Sequence, residues 1–153
     1  MTRPSRAAAG RTCLYLALLL TAAAWPLPGS AQERTVADGV YAVTQAERGS
    51  SGYRVFCAHC HAGDLSGDNT GDVGAPPLRR DGFREGSTAL ALFTKIRDTM
   101  PLDARGALAT EQYVDILAYI LQENGFPAGE GDLVADPEAL AGIRIVHRSE
   151  TRR

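Results

Sequence analysis

Two cysteines and two histidines fall within five positions in the stretch "FCAHCH", Phe56 to His61. Two thiols three residues apart, with an imidazole directly after the second, suit three chemistries: disulfide exchange, part of a zinc site, or covalent capture of haem. Zinc takes four ligands in two spaced pairs, and here the second pair is missing. The other two histidines of the chain are His59, inside the motif, and distant His147. A disulfide oxidoreductase places CxxC after a strand in a βαβ setting, whereas the flanks of this motif read as helix and loop. Haem capture uses every member. On a helical turn residues i, i+3 and i+4 share a face, so Cys57, Cys60 and His61 point toward one plane. The thiols can add to two vinyl groups of haem while the imidazole reaches the iron. Chance is a weak rival, because three Cys and three His in 153 residues generate CxxCH on the order of once in a thousand such chains.

Iron held by one imidazole has a second axial position to fill. Beyond residue 31 the chain contains a single methionine, Met100, in "DTMPLDARG". It stands at a helix end, where a loop can carry its sulfur across a haem face. Most methionines fill cores, but the place of this one, before Pro101 and downstream of CxxCH, favours axial ligation. Its rivals are His147, in the tail, and Lys95, the sole lysine, on the polar side of a helix. His59 points away from the haem face and reads as a solvated residue.

Thioether attachment of this kind is made outside the bacterial cytoplasm, so an export signal is expected. Residues 1–31 have its form. Arg3, Arg6 and Arg11 give a basic start, "CLYLALLLTAAAW" an apolar run, and Gly29 and Ala31 the small residues that a signal peptidase reads. The run of about thirteen residues is short of the roughly 20 that span a bilayer, which leaves an uncleaved anchor as the weaker alternative. Cys13 lies at the front of that run and would leave with it. The full chain carries 16 basic and 18 acidic residues, a net charge of −2; without the three arginines of residues 1–31 the balance is 13 to 18, or −5. That balance argues against a nucleic-acid partner, which favours a basic stripe. Cys57 and Cys60 would then sit in a compartment that oxidises thiols. The 122 remaining residues suffice for one small domain, and with four Tyr, four Phe and no Trp, a large apolar cofactor would help to fill its core.

The elements that must position these residues are helical. The stretch from Thr44 to Cys57 reads as a helix, interrupted in composition by Gly49 and Gly52. Ala62 to Gly82, dense in Gly, Asp and Pro, reads as a long loop that wraps something. Ser87 is expected to cap a helix through Thr99, with Ala89, Leu92, Phe93 and Ile96 on its inner face. The strongest helix runs from Thr110, its expected N-cap, to Asn124, with Gly125 and Pro127 beyond it. It presents Tyr113, Ile116, Leu117, Ile120 and Leu121 for burial. Asp136 and Pro137 open a last short helix. No β alternation stands out, and the fold class is all-α.

The chain resembles the class I c-type cytochromes, in the small periplasmic form found with bacterial quinoprotein dehydrogenases. The residues that carry the likeness are Cys57, Cys60 and His61; Gly49 and Tyr53, eight and four residues before Cys57; "APPL" at Ala75–Leu78; "TMP" at Thr99–Pro101; and "LAYI" at Leu117–Ile120. The resemblance implies one covalently bound haem c, held by Cys57 and Cys60 with His61 and Met100 on the iron. About three main helices would wrap it. Gly49 would allow the first helix close approach beneath Tyr119 of the last. A loop prolyl carbonyl, Pro76 or alternatively Pro77, would take the His61 Nδ1 proton. The chain divides into a signal peptide (1–31), a loosely ordered lead-in (32–43), a cytochrome c domain (44–146) and a disordered tail (147–153).

What the resemblance implies functionally is a periplasmic electron carrier rather than an enzyme, or else a tightly bound haem subunit of a dehydrogenase. Its donor and acceptor would be redox proteins, such as a quinoprotein dehydrogenase and a terminal oxidase or another cytochrome. No stable membrane span is expected once the signal is removed. The segment after Asn124 is longer than minimal carriers need and is a candidate docking surface. The tryptophan that many relatives place near a haem propionate is missing, which makes Arg79 and Arg80 the candidates for that contact. Oxygen-bearing side chains alternate at Asp64, Ser66, Asp68, Thr70 and Asp72, as in a calcium loop. The twelve-residue template asks for Gly sixth and Glu twelfth, whereas this chain has Asn69 and Ala75, so the stretch is expected to be a turn-rich loop.

Overall fold

A computed structural model describes residues 34–67, 75–79 and 83–146. Among them the chain is all-α, with three main helices: α1 (Val43–Phe56), α3 (Ala89–Thr99) and α4 (Thr110–Glu123). Two short helices, α2 (Ala58–His61) and α5 (Pro137–Ala141), complete the set. The helix boundaries follow local chemistry, with two shifts from expectation. Thr88, not Ser87, caps α3: its hydroxyl accepts from the Ala91 N–H at 3.1 Å, while the Ser87 hydroxyl donates backward to the Arg84 carbonyl at 2.7 Å. Thr110 is the first residue of α4, whose cap position is Ala109. Alanine has no side-chain acceptor, so the reciprocal half of a capping box remains: the Gln112 side-chain oxygen accepts from the Ala109 N–H at 3.1 Å. At α5, Asp136 caps as expected, accepting from the Ala139 N–H at 2.8 Å.

α4 is buried almost all round. Tyr113, Val114, Ile116, Leu117, Ala118, Ile120 and Leu121 are all buried, and each fully buried Leu or Ile contributes about 1.5–3 kcal/mol. Its main partner is α1. A Cβ built on Gly49 would overlap the Asp115 carbonyl oxygen and lie 3.0 Å from the Ile116 backbone nitrogen. Gly49 therefore serves the close approach of the two helices, but against Asp115 and Ile116 rather than beneath Tyr119. Tyr119 instead meets Tyr53 one turn further along, with ring centroids 5.3 Å apart. At the surface of the same crossing, Arg48 pairs with Asp115 at 3.0 Å and Asp132 at 2.7 Å. Exposed pairs of this kind contribute about 0–1 kcal/mol each.

The two ends of the domain are tied to each other, which sequence periodicity did not reveal. Arg34–Thr35 (β1) pairs in parallel with Ile143–Arg144 (β2), a two-stranded contact too short to register as alternation. Val36, Val40 and Tyr41 are buried, so the stretch expected to be a loose lead-in is part of the core over its described residues. The segment after Asn124 also contributes to the core, although Val134 within it is exposed. Phe126, Leu133, Leu140, Ile143 and Ile145 are all buried. Polar clamps hold this belt. The Tyr41 hydroxyl donates to the Phe126 carbonyl at 2.6 Å. Gln45, buried on α1, donates to the Leu133 carbonyl at 2.9 Å and accepts from its N–H at 2.7 Å. The Ile145 N–H reaches the Ser87 carbonyl at 2.8 Å. Among the described residues, no helix is long and apolar enough to cross a membrane.

The α1–α4 contact yields a paired prediction. Gly49→Ala places a methyl group against backbone that cannot swing aside and should cost at least about 2 kcal/mol in urea unfolding. Gly52→Ala, whose Cβ would lie 3.3 Å from the Ile116 side chain rather than from backbone, should stay within about 1 kcal/mol of wild type, since helix propensity favours alanine. Equal effects of the two substitutions would contradict the assigned crossing.

Candidate functional site

The motif CxxCH begins where α1 ends. Cys57 leaves helical geometry, with φ −124° and ψ −36°. Its N–H still donates to the Tyr53 carbonyl at 2.9 Å, and its carbonyl accepts from both Cys60 and His61, at 3.1 and 3.0 Å. Those i+3 and i+4 bonds form the single helical turn that groups Cys57, Cys60 and His61. Both cysteines are free thiols, Cys57 half-buried and Cys60 exposed. Burial, with Cys60 beside it, pushes the Cys57 pKa up to about 11, so this sulfur is a neutral thiol at neutral pH. His59 is exposed, and so is Lys95. His147 lies outside the described residues.

His61 is buried, and its ring is fixed from one side. Nδ1 lies 2.9 Å from the Pro76 carbonyl oxygen. A carbonyl can only accept, so Nδ1 carries a proton, and in the neutral tautomer this selects, Nε2 bears the lone pair. Among the described residues Nε2 has no hydrogen-bond partner. An unpaired acceptor in a buried imidazole costs free energy unless something binds it, and a metal ion is the partner that suits a neutral imidazole nitrogen. Among the described residues, no group of three or more His, Cys, Asp and Glu side chains is arranged to hold a metal ion by itself. The nitrogen thus has no protein-built metal cage to serve among the described residues, and a metal that arrives with ligands of its own, as in haem, suits it. The residues present fit that group: an imidazole nitrogen able to ligate, two thiols on the same turn, and partly buried apolar residues, Cys57, Ala58, Leu78, Met100 and Leu108 among them, packed against the core.

The loop after the motif is held so that Pro76 can reach the ring. The Tyr53 hydroxyl donates to the Ala62 carbonyl at 2.9 Å, fixing the exit from α2 to the helix before it. Leu65, fully buried, accepts from the N–H groups of Leu78 and Arg79 at 2.8 and 3.2 Å. Gly67 completes the cradle at φ +78°. A Cβ there would lie 2.6 Å from the Ala75 carbonyl oxygen and 2.9 Å from the Pro76 carbonyl carbon. From the far end of α4, the Asn124 amide donates to the Leu78 carbonyl at 2.8 Å. Gly67 and Asn124 were not among the residues singled out from the sequence. Their types, Gly in a turn-rich loop and Asn at a helix end, are the only traces they leave there.

Met100 is the C-cap of α3, half-buried at the core edge, with its N–H on the Ile96 carbonyl at 2.9 Å and its carbonyl accepting from the Tyr113 hydroxyl at 2.8 Å. Arg79 sits at the surface with Nη1 3.5 Å from a Glu123 carboxylate oxygen. Arg80 lies outside the described residues, as do Asp68, Thr70 and Asp72 of the alternating acidic stretch. The two described members of that stretch engage each other: the Ser66 hydroxyl, and after it the Ser66 N–H at 3.1 Å, hold the Asp64 carboxyl below the usual carboxylate range.

Residues 44–120, half of the chain, match the family model described as cytochrome c oxidase, cbb3-type, subunit III, a c-type cytochrome domain. The chain belongs to the class I c-type cytochromes. No curated protein and no solved structure gives a match. The matched region of the cytochrome starts within α1 and stops within α4. It takes in CxxCH, Pro76, Met100 and Tyr113, and leaves out both the lead-in and the terminal belt that close the core. Haem-based electron transfer is the activity of this family, and haem c its cofactor.

The cradle around Pro76 can be tested without any cofactor. Gly67→Ala combines an unfavourable φ with contact to backbone and should lower stability by about 1–3 kcal/mol. The result should appear as a lower urea midpoint with an unchanged slope. Gly63→Ala, with nothing within 4 Å of its Cβ, should remain within about 0.5 kcal/mol of wild type. A wild-type midpoint for Gly67→Ala would mean that the loop does not close on Ala75–Pro77.

Proposed function

We propose that the cytochrome is a periplasmic one-haem electron carrier, with haem c bound through Cys57 and Cys60 and the iron ligated by His61 and Met100. The observation that carries this reading is the buried His61 ring, whose Nδ1 is committed to Pro76 and whose Nε2 has no partner among the described residues. Bound haem supplies a one-electron couple between ferric and ferrous iron. The chain's part is to hold both ligands in place in the two oxidation states. Pro76 fixes the imidazole and raises its basicity, and the α3 cap fixes the backbone of Met100. Thioether sulfur is soft and neutral and favours ferrous iron over ferric, so it raises the potential relative to a second imidazole. Residues 1–31 have the form of an export signal, which supports the periplasm as the location.

Donor and acceptor are redox proteins. A quinoprotein dehydrogenase and a terminal oxidase or another cytochrome fit the chemistry. A second reading, a haem subunit held within a larger complex, draws support from the family description, which names a subunit of an oxidase. Arg79 and Arg80 stand as candidates for a propionate, with Arg79 having to exchange Glu123 for it. Native purification separates the two main readings: a carrier elutes alone, and a subunit brings a larger partner with it.

The ligand assignment makes a direct prediction. Met100→Ala should keep covalent haem, lower the reduction potential and allow carbon monoxide to bind ferrous haem stoichiometrically, whereas the wild type should exclude it. A Met100→Ala protein with the wild-type potential and no carbon monoxide binding would remove Met100 from the iron.

A further inference from the structure

We propose that Tyr113 is the positioning residue for Met100, its buried hydroxyl being the anchor that keeps the methionine loop closed. The inference rests on the ligation of iron by Met100. Residues 102–107 of this loop are exposed, with Leu102 51% accessible. Inside the loop there are two successive turns, in which Ala104 N–H meets the Pro101 carbonyl at 3.1 Å and Ala107 N–H the Ala104 carbonyl at 3.2 Å. Such a segment buries little and opens readily unless its ends are tied. Both ends are tied to one oxygen. The Tyr113 hydroxyl donates to the Met100 carbonyl at 2.8 Å and lies 3.4 Å from the Leu108 N–H as its acceptor. The Tyr113 residue is only 1% exposed, so this hydroxyl is supported by the rigid interior of α4 rather than by the loop.

The consequence concerns exchange of the sixth ligand. A neutral thioether holds iron through position rather than charge, and each opening of the loop would withdraw the sulfur. Removing the Tyr113 oxygen leaves the Met100 carbonyl and the Leu108 N–H without this partner while the ring still fills its site. Opening should become more frequent by about three- to tenfold, the weight of one net hydrogen bond.

The test compares Tyr113→Phe with Tyr41→Phe on the haem-loaded protein. Tyr41 is also 1% exposed, and its hydroxyl bonds the Phe126 carbonyl, outside the methionine loop. Tyr113→Phe should speed imidazole binding to ferric haem by that factor and weaken the far-red sulfur-to-iron charge-transfer band. Tyr41→Phe should lower the denaturant midpoint and leave both unchanged. Wild-type exchange in Tyr113→Phe, or equal acceleration in both variants, would overturn the proposal. A wild type that shows the band, with an unaltered Tyr113→Phe, removes this inference alone. A wild type that lacks the band, with exchange unaffected by Met100→Ala, removes the ligand assignment and the inference together. Hydrogen exchange on the unmutated protein needs no variant to fold: the Leu108 amide should be protected well beyond those of Asp103 and Arg105, and equal exchange would contradict the anchor.

Discussion

The meeting of α1 and α4 at Gly49 is the constraint on which the other parts of the cytochrome depend. With no side chain at Gly49, the backbones come together at Asp115 and Ile116, and α1 runs on from that crossing to Phe56. The CxxCH turn begins at the next residue. α4 then acts as a ruler laid across every segment of the site. Tyr113 holds the Met100 carbonyl, Asp115 meets Gly49, Tyr119 faces Tyr53, and Asn124 holds Leu78 in the strand of loop that carries Pro76. From Tyr113 to Asn124 is about 16 Å at 1.5 Å per residue. One rigid element therefore fixes the spacing between the imidazole side and the methionine side of the proposed haem.

The terminal belt serves that ruler from behind. Gln45 has both its amide groups satisfied by Leu133, and the Tyr41 hydroxyl is satisfied by Phe126, so these buried polar atoms bind the belt to α1 and to the segment just before it. The pairing of β1 with β2 joins the two ends of the described domain. The matched family region stops at residue 120, and the belt lies beyond it. The core that positions the CxxCH motif is thus closed by segments outside the matched region.

Much of this was legible in the sequence where one residue type or one period dominates. CxxCH, the single downstream methionine, the helix cap Asp136, the left-handed Gly125 after α4, and the inner faces of α3 and α4 rest on short-range rules, and the structure places those elements within a residue or two. Gly49 and Pro76 came from the family resemblance, and the structure puts Pro76 on His61 Nδ1 while moving the Gly49 contact to Asp115. What stayed hidden depends on contacts far apart in sequence. A two-residue strand has no period to detect, so β1 and β2 left no signal. Phe126, Leu133 and Ile145 are spaced too irregularly to advertise burial, which made the belt look like spare surface. The Tyr113 hydroxyl was invisible for a different reason: its ring matched the apolar stripe, and nothing in the stripe says where its oxygen points.

The central claim is that the CxxCH turn, with His61 locked by Pro76, holds one covalent haem. Intact-mass analysis of the exported, denatured protein, after treatment with a thiol-alkylating reagent, tests it most directly. The structure's reading predicts a chain heavier by one haem, with neither Cys57 nor Cys60 alkylated. A chain of apo mass carrying alkyl groups on both cysteines would contradict it.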